Sequence, residues 1–193
     1  MRYDPSRPAG RLLLTPEDKE APARTRRLGE LGLGERPEPE LDAYAGRLAE
    51  LTGVPYAMVN FIDEHRQFFA GLHRSQGAPR VVRADGTTAV LGRELARDHG
   101  FCPHVVVRRK ALVLEDVRDY PRFAGNPVVD EFGIHSYLGA PLIDSTGMTL
   151  GTLCVADTQP RPWGRSGLET IKSSAAELVT RLERRETDGL PLL

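Results

Sequence analysis

The sequence is short of several features that would mark a protein class outright. Lysine is nearly missing: among 26 Lys and Arg residues, only Lys19, Lys110 and Lys172 are lysines. That arginine dominance is a compositional habit rather than a chemistry. A formal net charge of -1 leaves no basic field for nucleic acid and no acidic block that would keep the chain disordered. Cysteine is limited to Cys102 and Cys154, too few and too far apart for a disulfide framework or a paired zinc motif. Long apolar runs are absent. The first, Leu12-Leu13-Leu14, meets Pro16, Glu17 and Asp18 at once, far short of a signal-peptide core or a membrane span. There is no phosphate-cradling Gly loop with its Lys, no Gly-x-Ser-x-Gly, no His-Glu-x-x-His, no kinase signature and no internal repeat. These absences point to a cytoplasmic, thiol-containing protein with neither nucleic acid nor membrane as partner. At 193 residues the chain is long enough for one domain with its own core.

What is present centres on Ile134 to Asp157. Two apolar strands, Ser136 to Ile143 and Met148 to Ala156, flank Asp144-Ser145-Thr146-Gly147, and Gly147 supplies the positive φ of a tight hairpin turn. Both arms are too apolar to leave one face in water, so the hairpin belongs in the middle of a sheet covered on both sides.

Upstream, residues 1–24 are Pro-, Arg- and Asp-rich without periodicity and read as a flexible arm. Thr25 to Leu31 reads as a short helix closed by Gly32. Pro39 opens a second, with the stripe Leu41, Tyr44, Leu48, Leu51 and a stop at Gly53. Val54 to Asp63 and Arg66 to Leu72 are strands, and His73 to Arg93 is a long loop or lid. Arg93, Glu94 and Asp98 read as a solvated helix face. Phe101 to Arg109 is a short helix with Pro103 in its first turn, and Ala111 to Glu115 is a strand. Asp116 and Asp119 are placed as turn and helix caps, Asp119 before the turn at Tyr120 to Phe123. Asn126-Pro127 opens a helix that Gly133 ends. Ser166-Gly167-Leu168-Glu169 has the form of a capping box, and Leu168, Ile171, Ala175, Leu178 and Leu182 form the stripe of the last helix. Hairpin-joined strands with helices make an α+β class with a mainly antiparallel sheet.

In this order the chain resembles a GAF domain, the small-molecule- and chromophore-binding regulatory module of bacterial signalling proteins. The segments that carry the resemblance are PEPELDAYAGRLAELTGVPYAMVNFID, RQFF, FCPHVVV, LVLEDVRDYPRFAGNP and GIHSYLGAPLIDSTGMTLGTLCVADTQPR, and the domain it implies spans residues 25–186 with a tail at 187–193. It implies a central five- or six-stranded antiparallel sheet, N- and C-terminal helices on one face, and short helices and loops over a cavity on the other. The subtype resembled stands in front of histidine kinases and diguanylate cyclases. Stand-alone proteins of this kind also resemble those of actinobacterial conservon operons, which implies a signalling partner such as a histidine-kinase-like protein or a small GTPase system. The function implied is a non-enzymatic sensor module with no fixed cofactor, although a small-molecule ligand remains open. One enzymatic family reduces free methionine sulfoxide through a cysteine relay, and this chain does not resemble it around either cysteine.

The candidate pocket residues are Asn60, Phe69, Cys102, His104, Tyr137, Thr152 and Cys154. Cys102 lies in the first turn of its helix between His99 and His104; it is either a redox-sensing or ligand-contacting thiol, or a small buried packing residue. Thr152, Cys154 and Ala156 form the lean face of their strand and should border the cavity, while Leu153 and Val155 should meet the terminal helices. A Cys102–Cys154 disulfide is conceivable from this placement, and spacing alone cannot bring the residues within bridging distance. Cys102-Pro103-His104 also resembles a haem-regulatory Cys-Pro motif, against which a satisfied core histidine is the plainer reading. A zinc site from His99, Cys102 and His104 lacks a fourth ligand. Asn60 either contacts a ligand or satisfies a neighbouring loop, and Phe69 and Tyr137 are cavity walls or plain core. The stripe from Leu168 to Leu182 has the spacing of a homodimer seam and equally of a helix packed on a sheet. Three functions follow: a ligand- or partner-regulated module, a thiol redox sensor using Cys102, or a structural adaptor with a filled core.

Overall fold

The computed structural model describes residues 15–78, 81–82, 86 and 88–188. Its centre is a six-stranded antiparallel sheet built from β1 (Tyr56–Ile62), β2 (Arg66–Arg74), β5 (Glu94–Ala96), β6 (Leu112–Leu114), β7 (Ser136–Ile143) and β8 (Thr149–Asp157), in the order β5-β2-β1-β8-β7-β6. Two short strands, β3 (Val81–Val82) and β4 (Thr88–Ala89), pair separately. The helices are α1 (Ala21–Leu31), α2 (Pro39–Thr52), α3 (Cys102–Arg108), α4 (Pro121–Ala124), α5 (Pro127–Phe132) and α6 (Gly164–Asp188).

The expected hairpin is β7–β8, and it is central: β8 is flanked by β1 and β7, and all nine of its residues are buried. Gly147 takes φ 83° at the turn, where Asp144 accepts from the Thr146 and Met148 amides at 3.1 and 3.0 Å. The packing of β8 on β1 requires a glycine at 151, because a Cβ there would sit 1.9 Å from the Asn60 carbonyl oxygen, beside the register shift between Val59 and Asn60.

Two apolar layers cover the sheet. One joins Leu41 and Leu48 of α2 to Val59, Phe61, Leu153 and Val155 of the sheet and Ile171, Ala175, Leu178 and Leu182 of α6. The other joins Tyr56, Met58, Phe69, Tyr137, Cys154 and Ala156 to Cys102 and Val106 of α3, with Val128 and Phe132 of α5. The alternation read along β8 therefore holds, with Leu153 and Val155 toward the helices and Cys154 toward the other layer. The chain's own sheet occupies four of the five stripe positions of α6, each at most 4% exposed, while Leu168 is half-buried. A dimer seam would need the same stripe, and the sheet has taken it.

Several boundaries differ from expectation. Glu94–Ala96 is not a helix face but a strand pairing with β2 through Arg66↔Ala96 and Phe68↔Glu94. β2 runs on to Arg74, which takes His73 and Arg74 out of the expected loop, and residues 79–80, 83–85 and 87 of that loop lie outside the described residues. The last helix begins at Gly164, so Ser166 sits inside its first turn rather than at a capping box. The Glu115 carboxylate takes the free Gly164 N–H at 2.9 Å instead. Asp116 caps its turn, accepting from the Arg118 amide at 3.0 Å, whereas Tyr120, not Asp119, precedes α4.

The helix expected from Thr25 begins at Ala21, and Arg24, assigned to the arm, is fully buried. Its Nε donates to the Thr149 carbonyl of β8 at 2.6 Å, and its two terminal nitrogens donate to both carboxylate oxygens of Asp18 at 2.7 and 3.0 Å. Asp18 also accepts from Arg97 just beyond β5. Removing one partner of such a buried pair strands the other charge away from water. Arg24→Ala should therefore lower stability by about 3 to 5 kcal/mol in urea unfolding. Arg24→Met restores apolar volume but strands Asp18 just as Ala does, so it should cost nearly as much; a clearly smaller loss in Arg24→Met would count against the ion pair and in favour of packing.

Candidate functional site

The layer under α3 holds the polar side chains that the sheet buries. On three adjacent strands, Asn60, Thr152 and Cys154, and Tyr137 rise toward α3, with Asn60↔Thr152 and Met58↔Cys154 paired across β1–β8 and Gly139↔Cys154 across β7–β8. Gly139 matters here because a Cβ would lie 2.2 Å from the Tyr137 hydroxyl; the phenol fills the space that glycine leaves beside Cys154. From above, the first residue of α3 brings the Cys102 sulfur to 3.3 Å from Tyr137 Oη and 3.6 Å from Cys154 Sγ. Both cysteines are free thiols and buried.

The approach of α3 is set by Asn126. It was read as a helix cap, and its Oδ1 does accept from the Val128 amide at 3.3 Å. It also clamps the turn before α3, with Oδ1 accepting from the Gly100 amide and Nδ2 donating to the Gly100 carbonyl, both at 2.8 Å. On the other side Asn60 Nδ2 donates to Gln67 Oε1 at 3.0 Å, and Gln67 Nε2 donates to the Ala96 and His99 carbonyls at 2.8 and 2.6 Å. The alternative that Asn60 satisfies a neighbouring loop is thus met through Gln67. Gln67 escaped the sequence reading; its only signal was an amide at the start of an otherwise apolar strand. Asn60 Oδ1 and Thr152 Oγ1 remain buried without a hydrogen-bond partner among the described residues.

The groups around the two sulfurs set their acidities apart. The Cys154 thiol, with the side chains of Thr152, Tyr137 and Asn60, holds the Cys102 pKa below its ordinary value against the upward push of burial. Cys154 goes the other way, raised by its hydrogen-bonded neighbour and by burial, and burial raises Tyr137 well above the usual phenol range. Of the pair, Cys102 is the thiol that ionises first.

A cavity of about 40 Å³ adjoins the cluster, lined by Met58, Phe69, Leu95, Phe101, Cys102 and Tyr137 among others, with no charged side chain in its wall. Of the candidate pocket residues, Phe69, Cys102 and Tyr137 border it, while Asn60, Thr152 and Cys154 lie in the polar cluster rather than in its wall. Its volume suits one or two water-sized molecules. A larger groove of about 490 Å³ runs along α6 and the end of β7, lined by Pro141, Ile143, Leu168 and Ala175, and contains none of the candidate pocket residues.

His104 stands apart from the sulfur cluster and is a core histidine. It is 2% exposed, its ring meets Phe123 edge-on at 4.9 Å, and Nδ1 has no hydrogen-bond partner among the described residues. No group of three His, Cys, Asp or Glu side chains converges as a metal site among the described residues. His99 instead lies 3.0 Å from Asp98.

The GAF domain family model matches residues 36–182. The chain belongs to the GAF family. A cyclic di-GMP phosphodiesterase of Pseudomonas aeruginosa is 31% identical over 133 residues, covering 66% of this chain and 20% of that protein. The chain thus spans about a fifth of that relative's length. The free methionine-R-sulfoxide reductase of Neisseria meningitidis superposes with TM-score 0.60 at 15% identity over 91% of this chain and 96% of that one. The GAF domain of an Acinetobacter phosphoenolpyruvate-protein phosphotransferase superposes with TM-score 0.56 at 18% identity, over 86% and 95%. At these identities the solved structures establish the fold.

His104 gives this GAF domain a specific acid sensitivity. Burial, reinforced by Arg122 and Arg108, pulls its pKa down to about 4. Between the unfolded value near 6.5 and that folded value, the unfolded chain binds the proton more readily, so stability falls as pH falls across this window, by on the order of 3 kcal/mol in total. Burial pushes the Asp18 and Asp144 carboxyls up, but Arg24 and Arg97 at Asp18, and Thr146 and Arg27 at Asp144, outweigh it and hold both below their ordinary value. The stabilisation they supply is therefore lost only at still lower pH. His104→Leu should flatten the pH 6.5-to-4 slope of urea-unfolding free energy; an unchanged slope would place the sensitivity elsewhere.

Proposed function

We propose that this GAF domain is a regulatory module of bacterial signal transduction without catalysis of its own. Its input is the buried polar cluster under α3, and its output is the α2–α6 face, read by a signalling protein such as a histidine-kinase-like protein or a small GTPase system. The observation that carries this reading is the alternation along β8. Thr152 and Cys154 belong to the cluster while Leu153 and Val155 pack against the terminal helices, so one strand is a wall shared by both faces. A side chain that shifts on one face shifts a tightly packed neighbour on the other.

The cavity bounds the ligand. About 40 Å³ with no charged wall suits a small uncharged molecule and offers no cation to a phosphate. Cyclic di-GMP, which figures in the name of the Pseudomonas relative, is both too large and too anionic for it as it stands. His104 supplies no general base near neutrality, which supports the non-catalytic reading, since its pKa is pulled down to about 4 and its ring packs on Phe123.

Two measurements test this. Full-length protein incubated with free methionine sulfoxide and dithiothreitol should show no turnover above a Cys102→Ser/Cys154→Ser double variant; cysteine-dependent turnover would overturn the non-catalytic reading. Native mass spectrometry of protein from its own host should show a small neutral mass or a signalling protein bound, whereas a chain that emerges bare would favour the structural adaptor. In the same samples, millimolar cyclic di-GMP should move the melting temperature by less than about 1 °C.

A further inference from the structure

We infer that Cys102 and Cys154 form an intramolecular disulfide site, oxidised by a small hydroperoxide that reacts first at Cys102. The two sulfurs are 3.6 Å apart, already in contact, while the residues come from different elements, the first turn of α3 and the middle of β8. A disulfide needs a sulfur separation of about 2.05 Å, so the remaining movement is about 1.5 Å, to be shared between two side chains and a helix of seven residues. Two thiols held together inside an apolar layer need a reason. Packing alone would be served equally by Ala or Val, and the same layer already holds Thr152 Oγ1 and Asn60 Oδ1 without a partner among the described residues.

The surroundings assign the roles. Cys102 has the Tyr137 hydroxyl at 3.3 Å and borders the cavity, whereas Cys154 is fully buried behind it and does not. The attacking sulfur is therefore Cys102, and the lowered pKa of that thiol agrees with this order. The cavity selects the oxidant by size. At about 40 Å³ it holds a molecule little larger than water, such as hydrogen peroxide, and favours it over an oxidant as bulky as a glutathione disulfide.

The chemistry balances in two steps. The Cys102 thiolate attacks one peroxide oxygen, the O–O bond breaks, and the departing hydroxide takes up the proton released by Cys102 to leave as water, giving a sulfenic acid. The Cys154 sulfur then attacks the Cys102 sulfur and the S–O bond breaks. The hydroxyl leaves with the Cys154 proton as a second water. Two thiols are oxidised by two electrons, and one hydrogen peroxide is reduced to two waters.

Closing the bond takes away the Cys102 S–H, leaving its sulfur only to accept from the Tyr137 hydroxyl, and draws α3 toward β8. This deepens the reading of the α3 cluster as an input and rests on that reading only for its effect on α6; the bond itself is tested without it. Reduced full-length protein should be treated with a few equivalents of hydrogen peroxide, then denatured, alkylated and weighed intact. The expected product has lost two hydrogens and takes up no alkyl group, and reducing agent restores both alkylation sites. Before denaturation, iodoacetamide should label neither cysteine of the reduced protein at an appreciable rate. In Cys154→Ser, dimedone should trap a sulfenic acid on Cys102; in Cys102→Ser, Cys154 should remain unmodified. Tyr137→Phe should slow the wild-type reaction several-fold while leaving its product unchanged. Oxygen adducts without a cross-link, a bond between two chains, or dimedone on Cys154 would each overturn the site. If a single variant fails to fold, the mass of the oxidised wild-type protein decides alone. A bond that forms without changing hydrogen exchange in α6 would count against the input–output reading while leaving the disulfide in place.

Discussion

Everything in this GAF domain depends on a sheet that has no wet face at its centre. β1 and β8 are buried along their whole lengths, so neither strand can satisfy its backbone except through its neighbours, and neither side chain row can meet water. That condition dictates the rest. Each face must be roofed by helices, the two central strands must lie close enough for their ladders to be complete, and a residue such as Gly151 has no alternative where the Asn60 carbonyl occupies the place of a Cβ. It also makes every polar side chain in the middle costly, which gives the cluster of Asn60, Thr152, Cys102, Cys154 and Tyr137 its meaning.

The two roofs are held in different ways. On the α2–α6 side the closure is apolar, reinforced at its N-terminal end by ion pairs that reach across the fold. Arg24 ties α1 to the Thr149 carbonyl and Asp18, and Arg27 beside it takes Asp144 of the hairpin turn at 2.8 Å and Glu186 of α6 at 3.0 Å. The segment ahead of the family match is thus fastened to both the central hairpin and the last helix. On the other side the buried fastenings of the short helices are amides: Asn126 clamps Gly100, and Gln67 holds the Ala96 and His99 carbonyls, while the exposed Arg109 at the end of α3 reaches the Gly147 carbonyl. A roof held by neutral hydrogen bonds over a small cavity opens at lower cost than one stitched by buried ion pairs. This asymmetry is what the proposed division into an adjustable input face and a firmly connected output face would need.

What could be read in the sequence was what is encoded locally. Gly32, Gly53 and Gly133 end helices in the left-handed conformation, Asn126-Pro127 starts one, and the 152/154 against 153/155 alternation separates the two faces of β8, because each of these signals is complete within a few residues. What was misread depends on partners far along the chain. The three residues of β5 are too few to show a period and become a strand only because β2 extends past them. Arg24 looks like one more arginine in a basic arm until Asp18, Thr149 and Arg97 converge around it. Ser166 has the spacing of a capping box, yet Glu115, distant in sequence, supplies the carboxylate and shifts the start of α6. The stripe of α6 was ambiguous in principle, since a coiled-coil seam and a sheet contact ask for the same period.

The candidate site shows the same division more sharply. All seven proposed pocket residues lie in buried positions on or under the α3 side, but placement on a face is weaker information than contact. The sequence put Cys102 in a helix and Cys154 on a strand; only the descent of α3 onto β8, controlled by the Asn126–Gly100 clamp, converts two isolated thiols into a pair 3.6 Å apart. Gly139 completes that conversion from the other side, because its missing side chain admits the Tyr137 phenol and allows it to reach Cys102. The thiol pair is therefore a product of packing between the two structural halves, and the disulfide proposed for it would bond α3 to β8 across that contact.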